Sequence, residues 1–278
     1  MKREQTLRHK LQSQRTLHEA VSAMRSLAAH HFRVARAAVP AARAYRQEID
    51  RALGAIGIDQ PARAVTAPGL LVVAADLGLC DGYSSRIVEL AIKRHHEQAS
   101  TVVYVVGKKA LPGLQRAGLP IDHHYSTPTS VVGLTPLLLE LAQDTLSDYL
   151  SGKISQLDVV SAKFEGVGVF RPEICRVLPV TPVEKSASVH GSSYVRPVHL
   201  VAVAVREFLY ILLYELLLNS LAAEHGARLV ATEAAEEWLS QRMTETQRQI
   251  ASICRENSTQ EILDVAAGAR NARRNRGP

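Results

Sequence analysis

The 278-residue sequence has few cysteines, aromatic residues, glycines and prolines. Its three cysteines, Cys80, Cys175 and Cys254, lie far apart and form no C-x-x-C pair, which argues against a disulfide framework and against a thiolate zinc site. Aromatic residues make up 5% of the chain, and 16 glycines with 12 prolines are too few for a collagen-like or low-complexity protein. With 46% hydrophobic residues, the sequence predicts an ordinary globular fold. The scattered cysteines favour a reducing compartment.

Long hydrophobic runs are also lacking. The N-terminal MKREQTLRHK carries charges with no apolar stretch behind them, so we expect no secretory signal. The most apolar segment, residues 200–218, is interrupted by Arg206, Glu207 and Glu215. Each of these charges would cost about 3 kcal/mol at the centre of a bilayer. The segment therefore predicts a helix buried in protein and not a membrane span.

The distribution of proline divides the chain into helical ends and a mixed middle. Only Pro40 precedes Pro61, and residues 198–277 contain no proline, so both ends predict long helices. Between the ends, short apolar runs alternate with helical segments. The predicted strands cover 70–75, 101–106, 159–164 and 175–180, and the predicted helices cover 84–98, 108–117 and 134–150. This alternation indicates a mostly parallel sheet with helices on its faces.

The N-terminal helix carries a seven-residue hydrophobic repeat in two rows. One row is Leu7, Gln14, Val21, Ala28, Ala35, Ala42, Ile49 and Ile56, and the other is Lys10, Leu17, Met24, His31, Ala38, Tyr45 and Ala52. Such a spacing, sustained over many heptads, predicts a left-handed coiled coil. A weaker stripe with a shift in phase follows residues 223–253, so we expect the two terminal helices to pair with each other as an antiparallel coiled coil.

These features predict an α/β protein in three parts. An N-terminal coiled-coil helix covers residues 1–58, a central Rossmann-like α/β domain covers 68–196, and a C-terminal coiled-coil helix covers 200–276. At 1.5 Å per residue, helices over about 6–56 and 204–274 would be roughly 75 and 105 Å long. A compact middle domain would be only about 40 Å across. We therefore expect the paired helices to protrude from it.

The most site-like local feature is the glycine-containing loop of residues 76–82, which lies between a predicted strand and a predicted helix. Its glycines are spaced G-x-x-x-G, and neither a dinucleotide-binding nor a P-loop motif is present. A structural turn or protein contact is favoured, with a nucleotide-binding turn and a metal site at Asp76 and Asp81 as alternatives. Cys80 is expected to be a buried thiol, and the three His-His pairs lack metal-binding spacing. The sequence predicts no catalytic constellation, no metal site and no cofactor.

Positive charge is concentrated in the N-terminal helix. Residues 1–56 contain eleven Lys and Arg against four Asp and Glu, while the whole chain has a net charge of +6. A basic helix of this kind fits an acidic protein surface, a nucleic acid or simply a solvated outer face. The charge by itself leaves these three interpretations open.

Three ordered segments together resemble the gamma subunit of rotary F-type ATP synthases. Residues 23–29 (AMRSLAA) are similar to the family's AMKMVAA, and residues 74–84 (AADLGLCDGYS) to its SSDRGLCGGLN. Residues 223–229 (AEHGARL) are similar to SEHAARM, and TQE follows at 259–261. Arg25, Asp81 and Cys254 replace a lysine, a glycine and an arginine of the family pattern, and residues 273–278 are basic where the family has an apolar C-terminus. These departures, the last above all, favour a divergent, alternative-operon type of the family.

The resemblance implies a non-catalytic central-stalk subunit, the rotor that couples an ion-driven ring to conformational cycling of the catalytic subunits. The implied partners are the alpha and beta subunits of the catalytic ring, the epsilon subunit and the membrane c-ring. It implies no nucleic acid and no cofactor, and membrane contact only through the complex, at the cytoplasmic side of a bacterial inner membrane. The implied partner-contact residues are Met24, Arg25, Leu27, Ala28, Gly78, Leu79, Cys80, Asp81, Gly82, Glu224, His225, Arg228, Arg255, Thr259, Gln260 and Glu261.

Two other functions compete with this interpretation. One is an α/β enzyme that binds a nucleotide at residues 78–82, and the other is a basic coiled-coil protein that binds nucleic acid. Nucleotide binding by the isolated chain would favour the first. DNA affinity that falls steeply with salt concentration would favour the second.

Overall fold

A computed structural model describes residues 2–56, 67–180 and 197–274. The chain divides into two compact units, a smaller one of Met1–Arg25 with Thr232–Pro278 and a larger one of Ser26–Ala231. The helices are α1 (Lys2–Ile56), α2 (Tyr83–Glu97), α3 (Leu111–Arg116), α4 (Leu134–Leu150) and α5 (Pro197–Arg274). The strands are β1 (Pro68–Val73), β2 (Val102–Val106), β3 (His123–Tyr125), β4 (Gln156–Gly166) and β5 (Val169–Leu178).

The five strands form one sheet in the order β3-β2-β1-β4-β5, in the larger unit. The first four strands are parallel to their neighbours, and β5 returns antiparallel to β4. β1 and β2 lie in the interior of the sheet and are buried along almost their whole length, which explains why they read as continuous apolar runs. The predicted α/β fold with a mostly parallel sheet is confirmed.

Several element boundaries differ from the predicted ones. β4 and β5 are longer than expected and form a hairpin across Gly168, which has a φ of 69°. The helix predicted over 108–117 is only the six-residue α3. The edge strand β3 was not predicted, because a three-residue segment of sequence His-His-Tyr has no apolar alternation to mark it as a strand.

Alternate side chains of the central strands enter two different cores. Leu71 and Val73 of β1 face a cluster that includes Leu213 and Leu217 of α5. Leu70 of β1 faces the opposite cluster, which is built with α2 and α3. The buried leucines of α5 confirm that the apolar segment 200–218 is largely a core helix. Among the described residues, no helix combines the length and the apolar character that crossing a bilayer requires.

The terminal helices pair antiparallel within each unit. In the larger unit, Arg46 of α1 forms an ion pair with Glu215 of α5. In the smaller unit, Arg25 of α1 forms an ion pair with Glu236 of α5, and Glu4 lies beside Cys254. Residue numbers rise along α1 as they fall along α5 in both units. The predicted antiparallel pairing of the two helices is therefore confirmed.

One of the two predicted hydrophobic rows of α1 follows the seam along its length, and the other follows it only in the middle of the helix. In the first row, the residues from Leu7 to Ile49 are all buried or half-buried. The second row is in the seam only in its middle, where Met24, His31 and Ala38 are half-buried, whereas Leu17 is 56% and Tyr45 is 48% exposed. The row one residue later is more fully buried: Leu11, His18, Phe32, Val39, Arg46 and Leu53 are buried or half-buried, and only Arg25 in this row is exposed. Its polar members have partners on α5, because His18 lies 3.2 Å from the Ser240 hydroxyl and Arg46 pairs with Glu215.

Candidate functional site

The 76–82 loop connects β1 to α2 in an unusual backbone conformation. Leu79 and Asp81 have φ values of 57° and 30°, and Gly82 has a φ of 66°. A positive φ at a residue other than glycine costs on the order of 1 kcal/mol, so contacts from outside must hold the loop in place. At its start, the Asp76 carboxylate accepts a hydrogen bond of 2.8 Å from the backbone N–H of Lys108.

Arg228 of α5 clamps the middle of this loop. Its Nη2 donates to the Leu77 carbonyl and its Nε to the Gly78 carbonyl, both at 3.3 Å. The same Nη2 donates to Glu224 Oε1, one helical turn earlier, at 2.5 Å. Arg228 is only 4% exposed, and a buried guanidinium needs this full set of partners to offset its lost hydration. The family-like segment 223–229 thus holds the 76–82 loop, which belongs to the family-like segment 74–84, in place.

His225 extends the cluster to another loop. Its Nε2 lies 2.9 Å from the carbonyl oxygen of Thr129, and its Nδ1 lies 3.3 Å from Nη1 of Arg228. Burial, together with the positive charge of Arg228, lowers the pKa of His225 to about 4. The imidazole is therefore neutral at physiological pH.

Burial also shifts the pKa of Glu224 and of the Cys80 thiol. Burial raises the pKa of Glu224, although the adjacent Arg228 partly offsets this effect. Burial likewise raises the pKa of Cys80, whose thiol points at the Leu77 carbonyl at 3.7 Å. The expected buried thiol at Cys80 is confirmed, and its environment is the opposite of that of a reactive thiolate.

A glycine in α5 allows other segments to approach this region closely. A Cβ atom placed on Gly226 would lie 3.2 Å from the Phe32 ring of α1 and 3.3 Å from the backbone nitrogen of Gly168. The absence of a side chain therefore brings α1 and the β4–β5 turn against α5, next to the Arg228 cluster.

The structure brings only some of the predicted contact residues together. The larger unit gathers the loop residues Gly78, Leu79, Cys80, Asp81 and Gly82 with Glu224, His225 and Arg228. Also in the larger unit, Leu27 is 60% exposed and Ala28 is 1% exposed. In the smaller unit Met24 is half-buried, Arg25 pairs with Glu236, and Arg255, Thr259, Gln260 and Glu261 lie on an exposed stretch of α5.

Sequence reasoning missed two members of the site. Leu77 stands inside the second motif, but its role is played by its backbone carbonyl, which no side-chain pattern signals. Thr129 also contributes a carbonyl, and it lies 96 residues from its partner His225. Within the described parts of the chain, no group of three His, Cys, Asp or Glu side chains is placed to hold a metal ion.

Comparison with known proteins identifies the family. A sequence model described as ATP synthase matches residues 3–271 of the chain. The chain belongs to the ATP synthase gamma-chain family. It is 26% identical to the ATP synthase gamma chain of Pelotomaculum thermopropionicum over 280 residues, which cover 95% of this chain and 96% of that one. It is 27% identical to the gamma chain of Moorella thermoacetica over 276 residues, again covering 95% and 96% of the two chains.

Solved structures show the same fold. A chain of the Euglena gracilis mitochondrial ATP synthase superposes with a TM-score of 0.67 at 13% identity, covering 99% of this chain and 97% of that one. A chain of the Tetrahymena thermophila mitochondrial ATP synthase gives a TM-score of 0.60 at 18% identity, covering 78% and 99%. The identification made from the three motifs is therefore confirmed, and so is the role of a gamma, central-stalk subunit that is not itself catalytic. The nucleotide-binding enzyme and the nucleic-acid binder are superseded.

Proposed function

We propose that this gamma chain turns inside a ring of alpha and beta catalytic subunits and passes the rotation of a membrane c-ring to them. The observation that carries the proposal is the antiparallel pairing of α1 and α5, in a chain that matches the family from residue 3 to residue 271. A pair made of two different helices has no rotational symmetry. Each catalytic site therefore meets a different face of the pair as the pair turns.

The charge of the helix pair makes its faces chemically distinct. In the smaller unit, residues 1–25 contain six Lys and Arg against two Glu, whereas residues 232–274 contain six Arg against seven Asp and Glu. A catalytic subunit that binds one face more tightly in its closed state is driven toward that state when the face arrives. A differential contact of about 1.4 kcal/mol changes the open-to-closed ratio tenfold. Rotation would thus drive the catalytic sites in turn without any chemistry on the rotor.

The predicted contact residues divide into three groups by exposure. We assign direct partner contact to the exposed ones, which are Arg25, Leu27, Leu79, Asp81, Gly82, Arg255, Thr259, Gln260 and Glu261. The buried ones, which are Ala28, Cys80, Glu224, His225 and Arg228, have no side-chain surface to offer. We assign to them the internal support of the helix pair and of the 76–82 loop. The remaining two, Met24 and Gly78, are half-buried, and we keep them as contacts at the edges of these surfaces.

We assign the remaining partners to the α/β domain. The domain would hold the epsilon subunit and stand on the c-ring, so that the chain is peripheral to the cytoplasmic face of a bacterial inner membrane. The Tetrahymena structure is one of a central stalk with a c-ring, and a Euglena structure comprises OSCP, F1 and a c-ring. These assemblies support the assignment for a chain of the same fold and family.

The test is reconstitution with the alpha and beta subunits of the same organism. We expect a complex in which a bead attached to the α/β domain rotates in one direction while ATP is hydrolysed. Co-purification read by mass spectrometry identifies epsilon and the c-ring as the further partners. A chain that fails to assemble with alpha and beta, or that assembles without rotating, contradicts the proposal.

A further inference from the structure

We infer that His225 is a positioning residue, whose neutral imidazole links two loops and holds Arg228 on the 76–82 loop. The inference assigns a role to a side chain that makes no contact with the surface. It bears on the proposed function only because the 76–82 loop is one of the proposed contact surfaces, and it can be tested on the chain alone.

Hydrogen-bond chemistry selects one form of the imidazole. The Thr129 carbonyl only accepts hydrogen bonds, so Nε2 of His225, at 2.9 Å, must carry a proton. The Arg228 guanidinium only donates, so Nδ1 of His225, at 3.3 Å, must be without one. The neutral Nε2–H tautomer is the single form that satisfies both contacts. A second proton on Nδ1 would face the N–H groups of Arg228.

This arrangement leaves every nitrogen of the Arg228 guanidinium with an acceptor. Nη1 faces His225, Nε faces the Gly78 carbonyl, and Nη2 is shared between Glu224 and the Leu77 carbonyl. The guanidinium is planar, so the acceptor at Nη1 fixes the rotation of the whole fork. Loss of the acceptor at His225 therefore weakens the hydrogen bonds from Arg228 to the Leu77 and Gly78 carbonyls, although His225 itself forms no hydrogen bond to the loop.

The 76–82 loop depends on the hydrogen bonds from Arg228 because the other hydrogen bonds from backbone N–H groups to the loop lie toward its ends. Asp76 is held by the Lys108 N–H at the start, and the Tyr83 N–H donates to the Cys80 carbonyl at the end. Between them, the loop contains the two non-glycine residues with positive φ. When the Arg228 guanidinium loses its hydrogen bonds to the loop, the strained backbone relaxes and exposes Cys80, which is 7% exposed in the closed loop. The rate at which the Cys80 thiol reacts with a reagent therefore reports how often the loop opens.

The experiment measures the rate at which a disulfide reagent labels Cys80 in the full chain. Cys175→Ser and Cys254→Ser leave Cys80 as the sole thiol. In this background His225 is replaced by Asn, Gln or Leu, all compared at one pH and far below the unfolding midpoint in urea. The Asn side-chain oxygen can take the place of Nδ1 and accept from Arg228, whereas the Gln amide can take the place of Nε2 and donate to Thr129. Leu can do neither.

We expect His225→Leu to raise the labelling rate by roughly tenfold, the factor that one hydrogen bond supplies. His225→Asn restores most of the protection, because it keeps the contact to Arg228, and His225→Gln restores less. His124→Leu, at an exposed histidine of β3, is the matched control and leaves the rate unchanged. Nitrogen-15 shifts of the wild-type imidazole at neutral pH report a protonated Nε2 and a bare Nδ1.

Equal labelling rates in all the His225 variants, or a protonated Nδ1 in the wild-type chain, would overturn the inference. The nitrogen-15 measurement needs no substitution, so it decides the tautomer even if the Leu variant unfolds. Both measurements use the chain without its partners. A failure to assemble with alpha and beta subunits therefore counts against the proposed function alone.

Discussion

The imidazole of His31 is stacked on that of His225, with ring centroids 5.2 Å apart and ring planes 28° apart. The contact joins α1 to α5 inside the larger unit, next to the Arg228 guanidinium. Burial lowers the pKa of His31, and the neighbouring His30 and Arg228 lower it further. Two adjacent histidines are thus both favoured in their neutral form, so the fold opposes the protonation of either one.

The first prediction concerns the pH dependence of stability. His225 has a pKa of about 4 in the folded chain, against about 6.5 when unfolded, so the unfolded state binds more protons between these values. The stability that the neutral imidazole contributes is fully present above pH ~6.5 and is lost as the pH falls toward ~4. We expect His225→Gln to reduce the fall in the free energy of unfolding between pH 7 and pH 4 by up to about 3 kcal/mol. Urea unfolding of the wild-type and His225→Gln chains from pH 7 to pH 4 measures this difference. An equal fall in the free energy of unfolding of both chains would contradict the prediction.

The second prediction concerns the buried ion pair. Arg228→Met leaves the Glu224 carboxylate buried without its cation, so we expect the free energy of unfolding to fall by about 3–5 kcal/mol. A Glu224→Leu, Arg228→Met double variant should lose less than the two single variants would together, because no charge is then left unpaired. Arg242→Met breaks an exposed pair with Glu245 and should cost less than about 1 kcal/mol. Urea unfolding of the full chain gives all four values, and additive losses would contradict the prediction.

The third prediction concerns the close approach of two strand ends. Gly107 has a φ of 98°, and a Cβ atom there would lie 2.4 Å from the Ala74 carbonyl oxygen. Gly107→Ala must therefore displace the backbone just before the 76–82 loop, and we expect a loss well above the ~1 kcal/mol of left-handed strain alone. Gly118→Ala is the matched control, since Gly118 has a φ of 76° and open space around it. Equal melting temperatures for the two variants would show that the contact is unimportant.

The fourth prediction tests the corrected seam and the rotor together. Ala28 is 1% exposed, so Ala28→Trp must overpack the helix pair at a cost of about 1–3 kcal/mol. Ala52 was predicted in the seam but is exposed, so Ala52→Trp should be tolerated. In assembled complexes we expect Ala28→Trp to lower the number of ions pumped for each ATP hydrolysed, with Ala52→Trp unchanged. Full coupling in the Ala28 variant, or a loss in both, would count against the rotor assignment.

The sequence alone was enough to establish the main elements and the family. The absence of proline over long stretches determined the two terminal helices, because a proline inside a helix removes a backbone donor and clashes with the preceding turn. Continuous apolar runs determined β1 and β2, since strands covered on both faces need apolar side chains on both sides. The three ordered motifs were specific enough to identify the gamma-chain family before any contact was known.

Only the tertiary structure decided which side of α1 meets α5. The row beginning at Lys10 is the more apolar of the two candidates, yet the row containing His18 and Arg46 is buried or half-buried along more of its length. Composition could not reveal this choice, because a polar side chain becomes acceptable in a seam only when a partner stands opposite, as Glu215 does for Arg46.

The same reason explains why the candidate site was seen only in part. The 76–82 loop and the Glu224, His225 and Arg228 side chains were each visible as motifs. Their contact was not, because it runs through the backbone carbonyls of Leu77, Gly78 and Thr129, and every residue carries such a carbonyl. The amino-acid sequence determined which groups can donate a hydrogen bond. The fold alone decided which of many identical acceptors receives it.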